Sequence, residues 1–193
     1  MNMPSVSVEL TRKTLVMLSS FQAEQWVPYD CEQVFRFFAN PSNLPRIMPP
    51  ATGTRLLEVR LESPPSHPMV TDDQPIAGIG SEIVTSFLIL PLLPLRAEWI
   101  ALITEFEWNH HFADVQKKGP FKSFYHRHEI LPERRDETNG SLARDIIEYD
   151  PGLGWLGALA QKLFIADQLQ RTFAYRQHAL TRLLSQRKSP QNF

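Results

Sequence analysis

The sequence predicts an α+β fold: an antiparallel sheet with one long C-terminal helix packed against it. Three observations lead there. Between Thr52 and Tyr149, six segments rich in β-forming residues follow one another, separated by turn signals. Consecutive strands joined by short turns pair antiparallel. From about Leu156 to Ser185 the apolar residues recur at helical spacing, and no other predicted element is large enough to cover a sheet face.

The elements follow in order. Leu15 to Val27 alternates partially and reads as a first strand, stopped by Pro28. Asp30 is a good helix N-cap with Gln33 three residues on, and Cys31, Val34, Phe35 and Phe38 form one apolar helical face. Asn40-Pro41 starts a second short helix that buries Leu44 and Ile47 and ends at Pro49-Pro50. The six strands are predicted at 53–62, 80–90, 96–107, 110–117, 122–131 and 142–149. Gly119-Pro120 and a broad turn over Glu133 to Gly140 separate the later ones, and proline-rich Ser63 to Gly78 reads as a long loop. Pro151, Gly152 and Gly154 close the last strand before the helix.

The 193 residues suit one domain, placed at 14–187 with flexible tails at 1–13 and 188–193. Lysine plus arginine (20) balances aspartate plus glutamate (21), which argues against a nucleic-acid partner. The C-terminal cations Arg171, Arg176, Arg182, Arg187 and Lys188 read as a solvated helix face. A lone cysteine, Cys31, allows no internal disulfide; with no signal segment or membrane span in view, the expected compartment is the cytoplasm.

Candidate chemistry concentrates in two neighbouring strands. Alternation sends Phe124, His126, His128 and Ile130 to one side and Ser123, Tyr125, Arg127 and Glu129 to the other, the polar set facing water. Asp145 shares a face with Ala143, Ile147 and Tyr149 and points to the same interior; Asp114 and Gln116 share a face with Phe112. Four readings fit buried histidines beside carboxylates: a satisfied polar network, the polar floor of a ligand cavity, a His-x-His metal site with a carboxylate, or acid–base catalysis at His126 or His128. The apolar tip Leu90 to Leu95 either packs under another element or, through Leu92 and Leu93, touches a membrane or partner transiently. Glycine-rich phosphate loops, dinucleotide fingerprints, nucleophile elbows and HExxH zinc motifs are absent from the sequence.

Two stretches resemble a known superfamily. "VPYDCEQVFRFFANPSNLPRIMPP" is similar to the opening of START-like (SRPBCC, Bet v 1-like) proteins, and "FADVQKKGPFKSFYHRHEI" resembles a bacterial subgroup with the pattern FxDxQxxGPYxxWxHxHxF. "LARDIIEYDPGLGWLG" before a long helix fits the same subgroup, so the likeness spans about Phe21 to Leu184; Phe124 stands where the subgroup carries tryptophan. The resemblance implies a helix-grip fold, a seven-stranded antiparallel sheet wrapped around the C-terminal helix with a hydrophobic tunnel between them. Members of the superfamily include lipid carriers, hormone receptors, polyketide cyclases and oxygenase subunits.

The reading adopted from the sequence is a carrier or sensor of a small hydrophobic molecule, with no cofactor and no metal, acting as a monomer or homodimer. Phe35, Phe38, Trp99, Phe112, Phe124, Leu159, Leu163 and Phe173 form the expected wall; Asp114, Gln116, His126, His128 and Asp145 form the polar anchors. The alternatives are a cyclase or dehydratase using His126, His128 or Asp114, and a protein-interaction module using the tip at 90–95.

Overall fold

The computed structural model describes residues 18–65, 74–88, 95–152 and 164–188. Strand β1 (Ser19–Val27) leads through Pro28 into helix α1 (Cys31–Ala39). The Asp30 carboxylate accepts the Gln33 N–H at 2.7 Å and fixes where α1 begins. A 3₁₀ turn (Pro41–Asn43) and the short helix α2 (Leu44–Ile47) follow. Asn40 accepts the Ser42 N–H at 2.9 Å, and the buried Asn43 amide donates to the Phe37 carbonyl at 2.8 Å, so the NPSN stretch locks α1 to α2.

Six more strands complete the sheet: β2 (Arg55–Arg60), β3 (Glu82–Leu88), β4 (Arg96–Glu107), β5 (His111–Lys118), β6 (Ser123–Arg135) and β7 (Thr138–Asp150). They form one seven-stranded antiparallel sheet in the order β1-β7-β6-β5-β4-β3-β2. The first strand thus pairs with the last, and the rest form a meander. Helix α3 (Ala166–Lys188) lies across the concave face.

The β6–β7 turn differs from the broad turn expected over Glu133 to Gly140. Asp136 and Glu137 alone make it, at φ 43° and 62°, and β6 and β7 run up to them. Two central residues with positive φ are the type I′ geometry that matches strand twist. Asp-Glu lacks the glycine that usually announces such a turn, so the sequence under-extends both strands.

The core has two parts. Val34, Phe35 and Phe37 of α1 are fully buried with Val27, Ile130, Leu180 and Leu184. Farther along the sheet, Ile147, Tyr149 and Phe173 form a second cluster with Phe21, Phe121 and Phe124 packed around it. On the convex face an ion ladder ties four strands together. Arg127 reaches Glu105 and Glu129, each at 3.0 Å, while Arg144 reaches Glu129 at 3.1 Å and Glu24 at 2.6 Å. This is the water-facing set that alternation assigned to β6.

Candidate functional site: a buried carboxylate–histidine cluster

Register places the polar residues side by side. His128 of β6 lies opposite Phe112 of β5 and Asp145 of β7, and His126 lies opposite Asp114 and Ile147. Because strand side chains alternate, all of them point to the concave face. Asp145 is the hub: one of its oxygens, Oδ1, lies 3.0 Å from His126 Nε2 and 2.7 Å from His128 Nδ1. A carboxylate only accepts, so each of these ring nitrogens carries the proton. The other nitrogen of each neutral ring is then a lone-pair acceptor. Asp114 Oδ2 faces His126 Nδ1 at 3.9 Å, beyond hydrogen-bond reach.

The rings are held from both sides. His128 stacks between Phe112 (centroids 4.5 Å apart) and Phe38 (5.5 Å), and the two imidazoles lie 4.0 Å apart. Phe173 of α3 meets His126 edge-on at 5.8 Å.

Helix α3 also brings a residue that the sequence reading set in water. Arg176 is 8% exposed, its Nη2 nitrogen is 3.9 Å from Asp145 Oδ1, and its guanidinium sits over the Phe173 ring at 4.6 Å. Its Nε is buried without a hydrogen-bond partner. Helical spacing holds the missed signal: Arg176 falls three residues after Phe173 and four before Leu180, both on the buried face.

Electrostatics follow from burial and from these neighbours. Burial pushes both His126 and His128 below the ordinary histidine value, so they are neutral at neutral pH. Burial also lifts Asp114 above the usual carboxylate range. The same burial acts on Asp145, but the N–H groups of His128 and His126 and the Arg176 charge outweigh it and hold its carboxyl well below that range. The resulting state is an ionised Asp145 opposite a cationic Arg176, with two neutral histidines donating to the carboxylate.

Beside this cluster runs an aromatic wall. Trp99 meets Phe124 edge-on at 4.7 Å and Phe121 at 6.0 Å, and Phe121 meets Tyr149 at 5.5 Å. Trp99, Phe121 and Phe124 are only half-buried. A cleft of about 420 Å³ opens between β1 and α3, lined by Phe21, Ala23, Ala166, Gln170, Phe173 and Gln177 among others. A crevice of about 10 Å³, room for one water, reaches Asp145 and Arg176 between Phe38 and Gln177.

The remaining sequence-derived candidates fall in three places. Phe35 is sealed in the α1 core, one ring behind His128, against Phe106, Trp108 and Phe112. The Gln116 amide is engaged at both ends by the following turn, donating to the Phe121 carbonyl at 2.7 Å and accepting its N–H at 3.2 Å. Leu159, Leu163, Leu92 and Leu93 lie outside the described residues. Among the described residues, two groups have metal-ligand composition: Asp114, His126 and His128 inside the fold, and Glu107, His110 and His111 on the more exposed β4–β5 hairpin.

Comparison with solved structures matches this architecture. Norcoclaurine synthase from Thalictrum flavum, in complex with dopamine and hydroxybenzaldehyde, superposes with a TM-score of 0.59 at 13% identity, covering 96% of this chain and 100% of that one. A protein from Thermus thermophilus gives a TM-score of 0.57 at 14% identity, over 89% of this chain and 100% of that one. A major latex-like protein from Panax ginseng gives 0.55 at 12% identity, over 86% and 97%. Comparison with family models and with curated proteins gave no match. The class these structures define is the Bet v 1-like helix-grip fold. The chain has that fold, as its resemblance to the START-like superfamily implied.

Proposed function

We propose that the protein binds a small, largely apolar molecule with one polar end, as a carrier or sensor. The half-buried aromatic wall beside a buried, charged cluster carries this reading. Rings left partly exposed on a concave face gain free energy when a ligand covers them, about 25 cal/mol per Å² of apolar surface removed from water. Phe21, Trp99, Phe121 and Phe124 form the wall, backed by buried Phe173 and joined in this reading by Leu159 and Leu163. The polar end meets His126, His128, Asp145 and Arg176, whose buried Nε has a donor to give. An acceptor group on the ligand, such as a carboxylate or carbonyl, fits that donor. The expected setting is the cytoplasm, since the lone cysteine forms no bridge and no described helix is long and apolar enough to cross a membrane.

Native mass spectrometry of freshly purified protein tests the reading. A co-purified small molecule that is lost from a His126→Phe/His128→Phe variant supports it; recovery unchanged in a folded variant of that kind overturns it.

A second reading has its own support. The fold is shared with an enzyme, norcoclaurine synthase, and His126 with Asp114 offers a base and an acid on one cavity face. A turnover rate that follows the titration of these groups distinguishes catalysis from anchoring.

A further inference from the structure

The geometry points to a divalent transition-metal site formed by Asp114, His126 and His128, with Asp145 as the group that orients both imidazoles. One ligand atom from each of the three lies within 4.8 Å of the others. Two imidazole nitrogens and one carboxylate oxygen are a donor set that suits zinc-type ions and leaves a fourth position open.

The surrounding shell supports the assignment. A metal-binding histidine needs one nitrogen free as a lone pair, and proteins secure this by giving its other N–H to a carboxylate. Asp145 does so for both rings through a single oxygen, at 3.0 and 2.7 Å. Its own charge is answered by Arg176 at 3.9 Å, which leaves Asp114 as the carboxyl grouped with the two histidines as a third ligand. Asp114 Oδ2 and His126 Nδ1 face each other at 3.9 Å, and a cation held by both would displace the carboxyl proton, as metal binding to such ligands does. Phe38 and Phe112 clamp the His128 ring, which limits the rearrangement that binding needs. The two readings share His126 and His128: the apolar ligand is proposed on the α3 side with Arg176, and the cation on the β5 side with Asp114.

The test uses the full chain without an affinity tag, stripped with a chelator, in a His110→Ala/His111→Ala background that removes the hairpin cluster. Zn²⁺ is titrated calorimetrically, and Co²⁺ is followed by its visible ligand-field bands. The expected result is one equivalent of either ion, with no competition from Mg²⁺. Asp114→Asn should weaken binding at least tenfold, and Asp145→Asn about 10- to 100-fold, as loss of an orienting partner does. Circular dichroism and melting of each stripped variant show that it is folded. Absence of a stoichiometric site in the background protein overturns the proposal, whatever the variants do. So does binding of equal affinity in folded Asp114→Asn or His128→Gln. Because the readout is metal uptake, its failure leaves the apolar-ligand reading intact; His126→Phe/His128→Phe removes residues of both sites, so the metal site is scored on Asp114→Asn, which retains both histidines.

Discussion

At the scale of single residues, Asp145 governs the site because it accepts from two ring N–H groups and answers the Arg176 charge. Replacing it with alanine leaves the His126 and His128 N–H groups unmet and Arg176 buried without a counter-charge. Removing one partner of a buried pair costs about 3–5 kcal/mol, so Asp145→Ala should lose at least that much of its unfolding free energy in urea. The histidines predict the response to acid. Burial holds both rings below the ordinary value of 6.5, so below that pH the unfolded chain binds protons that the native state refuses. Their contribution is therefore full above about pH 6.5 and declines as the medium is acidified through it. His111, also lowered, acts in the same direction, and Asp145 does so in a more acidic range. Asp114, raised by burial, acts oppositely: its contribution is lost as pH rises from the usual carboxylate range through its elevated value. The urea midpoint should fall between pH 7 and pH 5, and a His126→Gln/His128→Gln variant should flatten that fall. An equally steep slope in the variant would place the effect elsewhere.

At the scale of elements, the site exists because β5, β6 and β7 hold a register that lines up Asp114 with His126 and His128 with Asp145. Much of this was legible. Period-two alternation alone placed both histidines and Asp145 inside and the Arg127 set outside. The α1 boundaries and the α1–α2 connection followed from Asp30 and Asn40-Pro41. Arg176 was not legible from charge, because a cation near a chain end is usually solvated; only its spacing from Phe173 and Leu180 marks it. The engagement of Gln116 by the Phe121 backbone was also hidden, since it depends on how the turn after Gly119 folds back. Register also explains Gly140, which pairs with Glu133 beside Trp26. A Cβ there would meet the Val27 carbonyl oxygen at 2.4 Å and the indole at 2.7 Å. Gly140→Ala should cost about 1–3 kcal/mol by overpacking, read as a lower melting temperature.

At the scale of the whole molecule, α3 is fastened to the sheet by β1. The Gln25 amide donates to the Gln177 carbonyl at 3.0 Å and to Thr181 Oγ1 at 2.8 Å, and the Gln177 amide donates to the Glu24 carbonyl at 2.9 Å. Removing both amides in Gln25→Ala/Gln177→Ala should lower stability by about 1–2 kcal/mol and raise hydrogen exchange first in α3. Strand β1 pairs with β7, Ser19 opposite Tyr149, although the rest of the sheet is a simple meander. On a ribosome that adds about 5–20 residues per second, the first strand therefore waits many seconds for its partner. The two histidines and both aspartates emerge before Arg176, whose charge answers Asp145. Until α3 is released, the nascent sheet carries a carboxylate whose cationic partner is still missing, so closure of the protein's interior waits for that helix.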